Sequence, residues 1–299
     1  MLAAAAILTW PFDLGASQET NTATSTSSRL APITVTGESP GLHDVASESD
    51  LVGPANQPEW TTRRAFAETD IYVISEGEVE FNQFYVLSHP KHGKPEHEFE
   101  SEFELGLPWR TQFDVEPNYS VEEGKLQYNS TRLELPHALA DWGKIPLNPA
   151  IDGGWRFRDK ETDSFLVRLL LAEQLGERWH FGANLGYEQQ VGAEREREYE
   201  LNAALSFVAL DRKLTLGAEL LVEHQTAIDE RSSTVVMLGP TLLYKPTRNT
   251  HLGFVPLFGI TSDSPVTELF FIFGIEFEPF GWRWGKEARS GFEPVRRSR

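Results

Sequence analysis

Glutamates stand at four alternate positions, Glu98, Glu100, Glu102 and Glu104, interleaved with Phe99, Ser101, Phe103 and Leu105. Carboxylates can move protons, bind hard cations or select the charge of a passing solute. The same polar side of alternating segments carries Asp114, Glu116, Glu134, Glu188, Glu198, Glu200, Glu219, Glu223 and Glu276. Arg132, Arg156, Arg158 and Arg168 share it. Two readings follow: an acidic channel favouring cationic or neutral polar solutes, or a filled interior in which carboxylates pair with arginines. Other chemistry is sparse. His89, His92 and His97 lie in a Lys/Pro/Gly loop whose spacing fixes no metal geometry. A hydrolase needs a base beside an activated hydroxyl. The nearest approach is His224-Gln-Thr226, with Thr where a serine nucleophile would stand. His-Glu-x-x-His is absent from the chain. No catalytic residue, cofactor or metal is expected.

The elements that would hold these side chains are strands. Trp179, Phe181, Ala183, Leu185 and Tyr187 alternate with His180, Gly182, Asn184, Gly186 and Glu188. Period two is the mark of a strand with one apolar and one polar face. Twelve such segments can be counted, at 78–88, 97–107, 111–121, 125–135, 147–158, 164–174, 178–189, 197–208, 213–224, 234–245, 250–260 and 266–278. Segments 125–135 and 234–245 alternate least cleanly and suggest a bulge or a shifted register. Tight turns and longer polar connections alternate along most of the chain, as in outer-membrane barrels. Even strand number then places both termini in the periplasm. The expected fold is all-β: an antiparallel up-and-down transmembrane barrel over 71–280. Trp109, Trp142, Trp179, Trp282 and Trp284 fall near one set of strand ends and are candidates for a membrane-interface belt.

Composition agrees. A net charge of -18 repels phosphate backbones and argues against nucleic-acid binding. The absence of cysteine removes disulfide and thiolate chemistry. A mean hydropathy of -0.36 suits a barrel, in which only alternate side chains face lipid. Residues 1–16 read as a signal peptide shortened at its front. Residues 17–70, rich in Ser, Thr and Ala, read as a disordered periplasmic linker. Residues 281–299 read as a basic tail.

Within the linker, Ala31-Pro-Ile-Thr-Val-Thr-Gly37 resembles the box by which TonB-dependent transporters engage an energy-coupling partner, with Ile33 to Thr36 as its core. A chance Thr/Val run in a Thr-rich segment is the simpler reading. The phrases Glu78-Val-Glu-Phe81, Ala140-Asp-Trp-Gly-Lys-Ile-Pro-Leu-Asn-Pro149 and Val255-Pro-Leu-Phe-Gly259 resemble a group of Gram-negative outer-membrane β-barrel proteins. More loosely, the chain looks like the barrels encoded with aromatic-degradation pathways. The resemblance implies an outer-membrane channel or transporter for a small solute, with membrane lipid and the barrel-assembly machinery as partners. A sealed barrel with a structural or anchoring role is the alternative, and a membrane-embedded hydrolase a third reading.

Overall fold

The computed structural model describes residues 48–192, 196–211, 213–227 and 231–277. Twelve long strands form its wall: β1 (Val79–His89), β2 (Glu96–Leu107), β3 (Thr111–Glu122), β4 (Lys125–Glu134), β5 (Ala150–Arg158), β6 (Ser164–Leu175), β7 (Trp179–Gln190), β8 (Arg197–Leu210), β9 (Leu214–Thr226), β10 (Ser233–Thr247), β11 (Thr250–Gly259) and β12 (Thr267–Phe277). Each pairs antiparallel with the next, and β12 pairs with β1 from Phe277↔Val79 to Thr267↔His89. The sheet is thus a closed up-and-down barrel, and closure leaves no unpaired sheet edge.

Period two decides which way each side chain points. On β7, His180, Gly182 and Asn184 are buried inside, while Trp179 and Leu185 are exposed outside. The outer face carries Phe103, Leu185, Leu205, Leu216, Leu242, Phe254, Phe271 and Phe273, all exposed. An apolar surface this continuous is far beyond what water-soluble monomers tolerate, and it suits hydrocarbon. No helix among the described residues is long and apolar enough to cross a membrane, so any crossing by these residues is made by strands. Leu185→Arg, near the middle of β7, is therefore expected to cost about 2–4 kcal/mol of folding into lipid vesicles, against ~0–1 for Leu175→Arg at a strand end. Urea titrations of vesicle-folded protein would measure both.

The doubtful segments resolve differently. In β4 the register against β3 shifts between Ser130 and Tyr128, which leaves Asn129 as an extra residue whose side chain bonds Asn118 and Ser120. That is the bulge the broken alternation suggested. β10 runs in unbroken register against β9, but against β11 its register shifts between Tyr244 and Thr247. β11 pairs with it at Leu238↔Phe258 and again at Leu242↔Phe254. Between these stand Pro240 and Pro256, which have no N–H to give a ladder.

Connections are short at one end of the barrel (108–110, 176–178, 211–213, 248–249) and mostly longer at the other. The exception at the short-turn end is 135–149. It holds a two-residue strand, His137–Ala138, that pairs with Thr111 and with Ile151 and Ala150.

Residues 48–70, expected to be a disordered linker, are ordered within the barrel. Trp60, Phe66 and Ala67 are at most 2% exposed. The composition rule treats a polar segment as though water were its only partner. Here the inner wall of the barrel supplies the partners. Residues 48–78 together form a strap that enters at the short-turn end, reaches mid-barrel near Phe66–Asp70 and returns to the start of β1. At its entrance Glu48 forms an ion pair with Lys245 of β10. On the way back Gly77 and Glu78 exchange backbone hydrogen bonds with Gly106 of β2. A Cβ on Gly106 would lie 1.9 Å from the carbonyl oxygen of Ser75, so only glycine lets the strap lie this close to the wall. The signal peptide, the Ile33–Thr36 box and the basic tail lie outside the described residues.

Candidate functional site

The interior divides into a strap-filled half and an open mouth. In the filled half, wall side chains bind the strap by its backbone. The Glu219 carboxylate accepts from the N–H groups of Ala67, Glu68 and Thr69 at 3.0, 2.9 and 2.8 Å, and from the Thr69 hydroxyl at 2.8 Å. Asn184 both accepts from the Asp70 N–H (2.7 Å) and donates to its carbonyl (2.6 Å). Asn202 donates to the Glu68 carbonyl at 3.0 Å, and Gln112 accepts from the Ile74 N–H at 2.7 Å. These groups do for the strap what ladder bonds do for a strand: they satisfy backbone that would otherwise be buried without partners.

Aromatic packing completes the seat. Trp60 stacks on His180 with centroids 4.1 Å apart and planes 3° apart, and its indole N–H donates to Gln174 at 3.1 Å. Trp142 packs edge-on against Trp60 and Tyr72. It therefore belongs to the interior and not to the expected interface belt. Its connection is long enough to fold into the barrel mouth, where the Trp142 N–H reaches the Ala55 carbonyl at 3.0 Å. Trp109, 84% exposed, and Trp179, exposed and packed on Phe207, remain at the outer surface. Trp282 and Trp284 lie outside the described residues.

At the tip of the strap begins a network of buried ions. Arg168 of β6 meets Glu134 at 2.5 Å, Asp152 at 2.7 Å and strap Asp70 at 2.7 Å. Arg132 of β4 meets Glu116 at 2.5 Å, Glu134 at 3.2 Å and Glu100 at 3.8 Å. Arg64 of the strap pairs with Asp70 and, at 3.4 Å, with Glu102. Burial would raise the Asp70 carboxyl, but Arg64 and Arg168 outweigh it and hold Asp70 below the ordinary carboxylate range. Glu68 goes the other way. Burial, with Glu100 and Glu219 nearby, pushes its carboxyl well above that range. Burial also pushes the Tyr72 phenol, whose O–H donates to the Ala140 carbonyl, up to about 12.

The candidates read from alternation all sit on inward-facing positions, but in two settings. Glu102, Glu104, Asp114, Glu116, Glu134, Arg168 and Glu219 are buried against the strap or in the ion network. Glu98, Glu100, Arg156, Arg158, Glu188, Glu198, Glu200 and Glu223 are half-buried in the part of the lumen toward the longer loops. Period two reports facing but not depth, so it could not separate the groups. Periodicity also passed over the strap's own Arg63, Arg64 and Asp70 and the amides that hold it. Asn184 and Asn202, directly paired across β7 and β8, were the available signal.

Asp114, Glu116 and Glu134 bring carboxylate oxygens within 4.8 Å of one another, but Arg132 already bonds two of the three residues. His97 bonds the Tyr85 hydroxyl at 2.8 Å through Nδ1. His224 bonds Thr234 at 2.9 Å and not Thr226, and among the described residues no carboxylate or amide orients its other nitrogen.

Cavities follow the same division. At the mouth beside the longer loops one of about 310 Å³ is lined by Arg156, Arg158, Glu188, Glu198 and their neighbours. At the short-turn end one of about 510 Å³ lies between the strap and the ends of β1 and β12. Between them the strap and ion network leave voids of about 30 and 10 Å³.

No protein-family model and no curated protein matches the chain. Among solved structures, an outer membrane channel from Pseudomonas putida F1 superposes with a TM-score of 0.52 at 10% identity, covering 71% of this chain and all of that one. NanC porin gives 0.49 at 12% identity over 67% and 98% of the two chains. KdgM porin gives 0.46 at 10% identity over 66% and 98%. At 10% identity, what the channel structure shares with this chain is the fold, a closed antiparallel β-barrel.

Proposed function

We propose that this barrel is an outer-membrane channel for small polar solutes, held shut by its own N-terminal strap. The observation that carries the reading is the interrupted lumen: a polar cavity at each mouth, with the strap and its ion network between them. A barrel built only to be solid would more simply fill its core with apolar side chains. The strap is held by side chains gripping backbone, a fastening that can be undone without opening the sheet. The likeness to an outer membrane channel supports the same reading.

In this reading the short turns and both ends of the chain face the periplasm, and the longer loops face outward. Ile33 to Thr36 precede the strap in the chain. A periplasmic partner that engaged them by strand addition would load the strap directly.

Planar-bilayer conductance tests the proposal. The full chain is expected to be closed with rare openings, and a variant lacking residues 48–74 to conduct steadily. Folding of both is checked by heat-modifiable gel mobility. A folded deletion variant that stays silent at every voltage would leave the sealed, structural barrel as the better account.

A further inference from the structure

The mouth beside the longer loops has two chemically different walls. Arg156 and Arg158 project from β5, and both bond Glu188 of β7, at 3.0 and 2.8 Å. Arg158 also meets the exposed Glu161 at 3.1 Å. Each guanidinium has five N–H donors, so these contacts leave most of them unused. Farther round the wall, Glu198 of β8 accepts from the side-chain amide of Gln225 on β9 at 2.9 Å. Among the described residues no cation pairs with Glu198. The 310 Å³ cavity is lined by Arg156 and Arg158 with Glu161 and Glu188, which they bond, and by Glu196, Glu198, Gln190 and Gln225. That volume is at the lower end of the roughly 300–1,000 Å³ usual for small-molecule sites.

From this arrangement we infer that the mouth binds small zwitterions, with their carboxylate toward Arg156 and Arg158 and their ammonium toward Glu198. The inference rests on the channel reading of the same lumen and names the solute class. Guanidinium groups present planar, paired donors that match a carboxylate, while an ammonium offers three donors and needs acceptors. A simple anion would face Glu198 unpaired, and a simple cation would face the two arginines. A solute carrying both charges satisfies both walls. β5 and β8 are three strand spacings apart, about 14 Å along the wall. Side chains reaching in from both narrow that gap.

Calorimetric titration of the detergent-purified full chain tests this with three probes of one backbone: diglycine, N-acetyldiglycine and diglycinamide. Diglycine should bind about tenfold more tightly than either capped form, the effect of losing one charged hydrogen-bonding end. Glu198→Gln should abolish the preference over N-acetyldiglycine and keep the preference over diglycinamide. Arg156→Gln with Arg158→Gln should do the reverse. Should the double variant not fold, as judged by heat-modifiable mobility, the near-isosteric Glu198→Gln still decides the matter. Equal binding of the three probes, no binding of any, or wild-type preferences in folded variants would overturn the inference. The two proposals fail separately. A barrel that prefers diglycine but never conducts loses only the channel reading. One that conducts but binds all three probes alike loses only the zwitterion site.

Discussion

Glu219→Ala is expected to raise the open probability of the barrel on the order of 100-fold. One carboxylate here receives three consecutive backbone N–H groups and a hydroxyl. Removing it leaves the Ala67–Thr69 turn with buried donors and nothing to receive them. Hydrogen bonds to a charged group are worth about 1.5–3 kcal/mol each, and they do not add fully. A loss of about 3 kcal/mol from the seated state alone shifts a seated-to-released equilibrium by roughly two powers of ten. Amide hydrogen exchange at Ala67, Glu68 and Thr69 should accelerate by a similar factor, because those amides exchange when the strap lifts. Glu219→Gln keeps one good acceptor and should fall between. A Glu219→Ala barrel that stays closed, with the three amides still protected, would show that the strap is seated by something else.

The reason one carboxylate can matter so much is the nature of the strap's seat. Ladder bonds in the wall are shared among neighbouring strands, so no single side chain holds a strand in place. The strap's polar contacts are individual. Glu219, Asn184, Asn202 and Gln112 each satisfy a particular stretch of its backbone. Gly182 keeps the space clear: a Cβ there would come within 3.0 Å of Thr69 and 3.1 Å of Ile71.

That contrast also explains what could be read from the residues. Strands were legible because a barrel wall between lipid and lumen forces period two on every strand. Glu98, Glu100, Glu102 and Glu104 announced both the strand and its inward face. The bulge at Asn129 showed as a break in that pattern. The strap was not legible, because an irregular segment held largely by its backbone imposes no repeating pattern on its side chains, and its composition matches that of a linker. Its few signals were local: Trp60 and Phe66 in a polar stretch, then the apolar run Ile71-Tyr-Val-Ile74. Trp142 was misplaced for a related reason. Its position near a strand end fitted an interface belt, and only the inward fold of 135–149 sets it against Trp60.

Arg168→Met is expected to destabilise the barrel by about 3–5 kcal/mol, the cost of stripping one partner from a buried ionic cluster. Arg168 is 8% exposed and touches Glu134, Asp152 and Asp70. Glu134 keeps Arg132, and Asp70 keeps Arg64. Asp152, fully buried, has no second cation among the described residues. The charge left behind falls mainly there. Adding Asp152→Asn should therefore recover a good part of the loss, since the pair is removed together and the surviving amide is neutral. Val167→Ala, one residue along β6 but facing outward, serves as the control for strand packing and should cost far less. Arg168 also joins the strap to the wall through Asp70, so the same variant should release the strap at urea concentrations below those that open the barrel. Heat-modifiable mobility reports the barrel, and hydrogen exchange at Ala67–Thr69 reports the strap. Coincident transitions in Arg168→Met would mean that strap and wall form one cooperative unit, and the strap could not then act as a gate that moves alone.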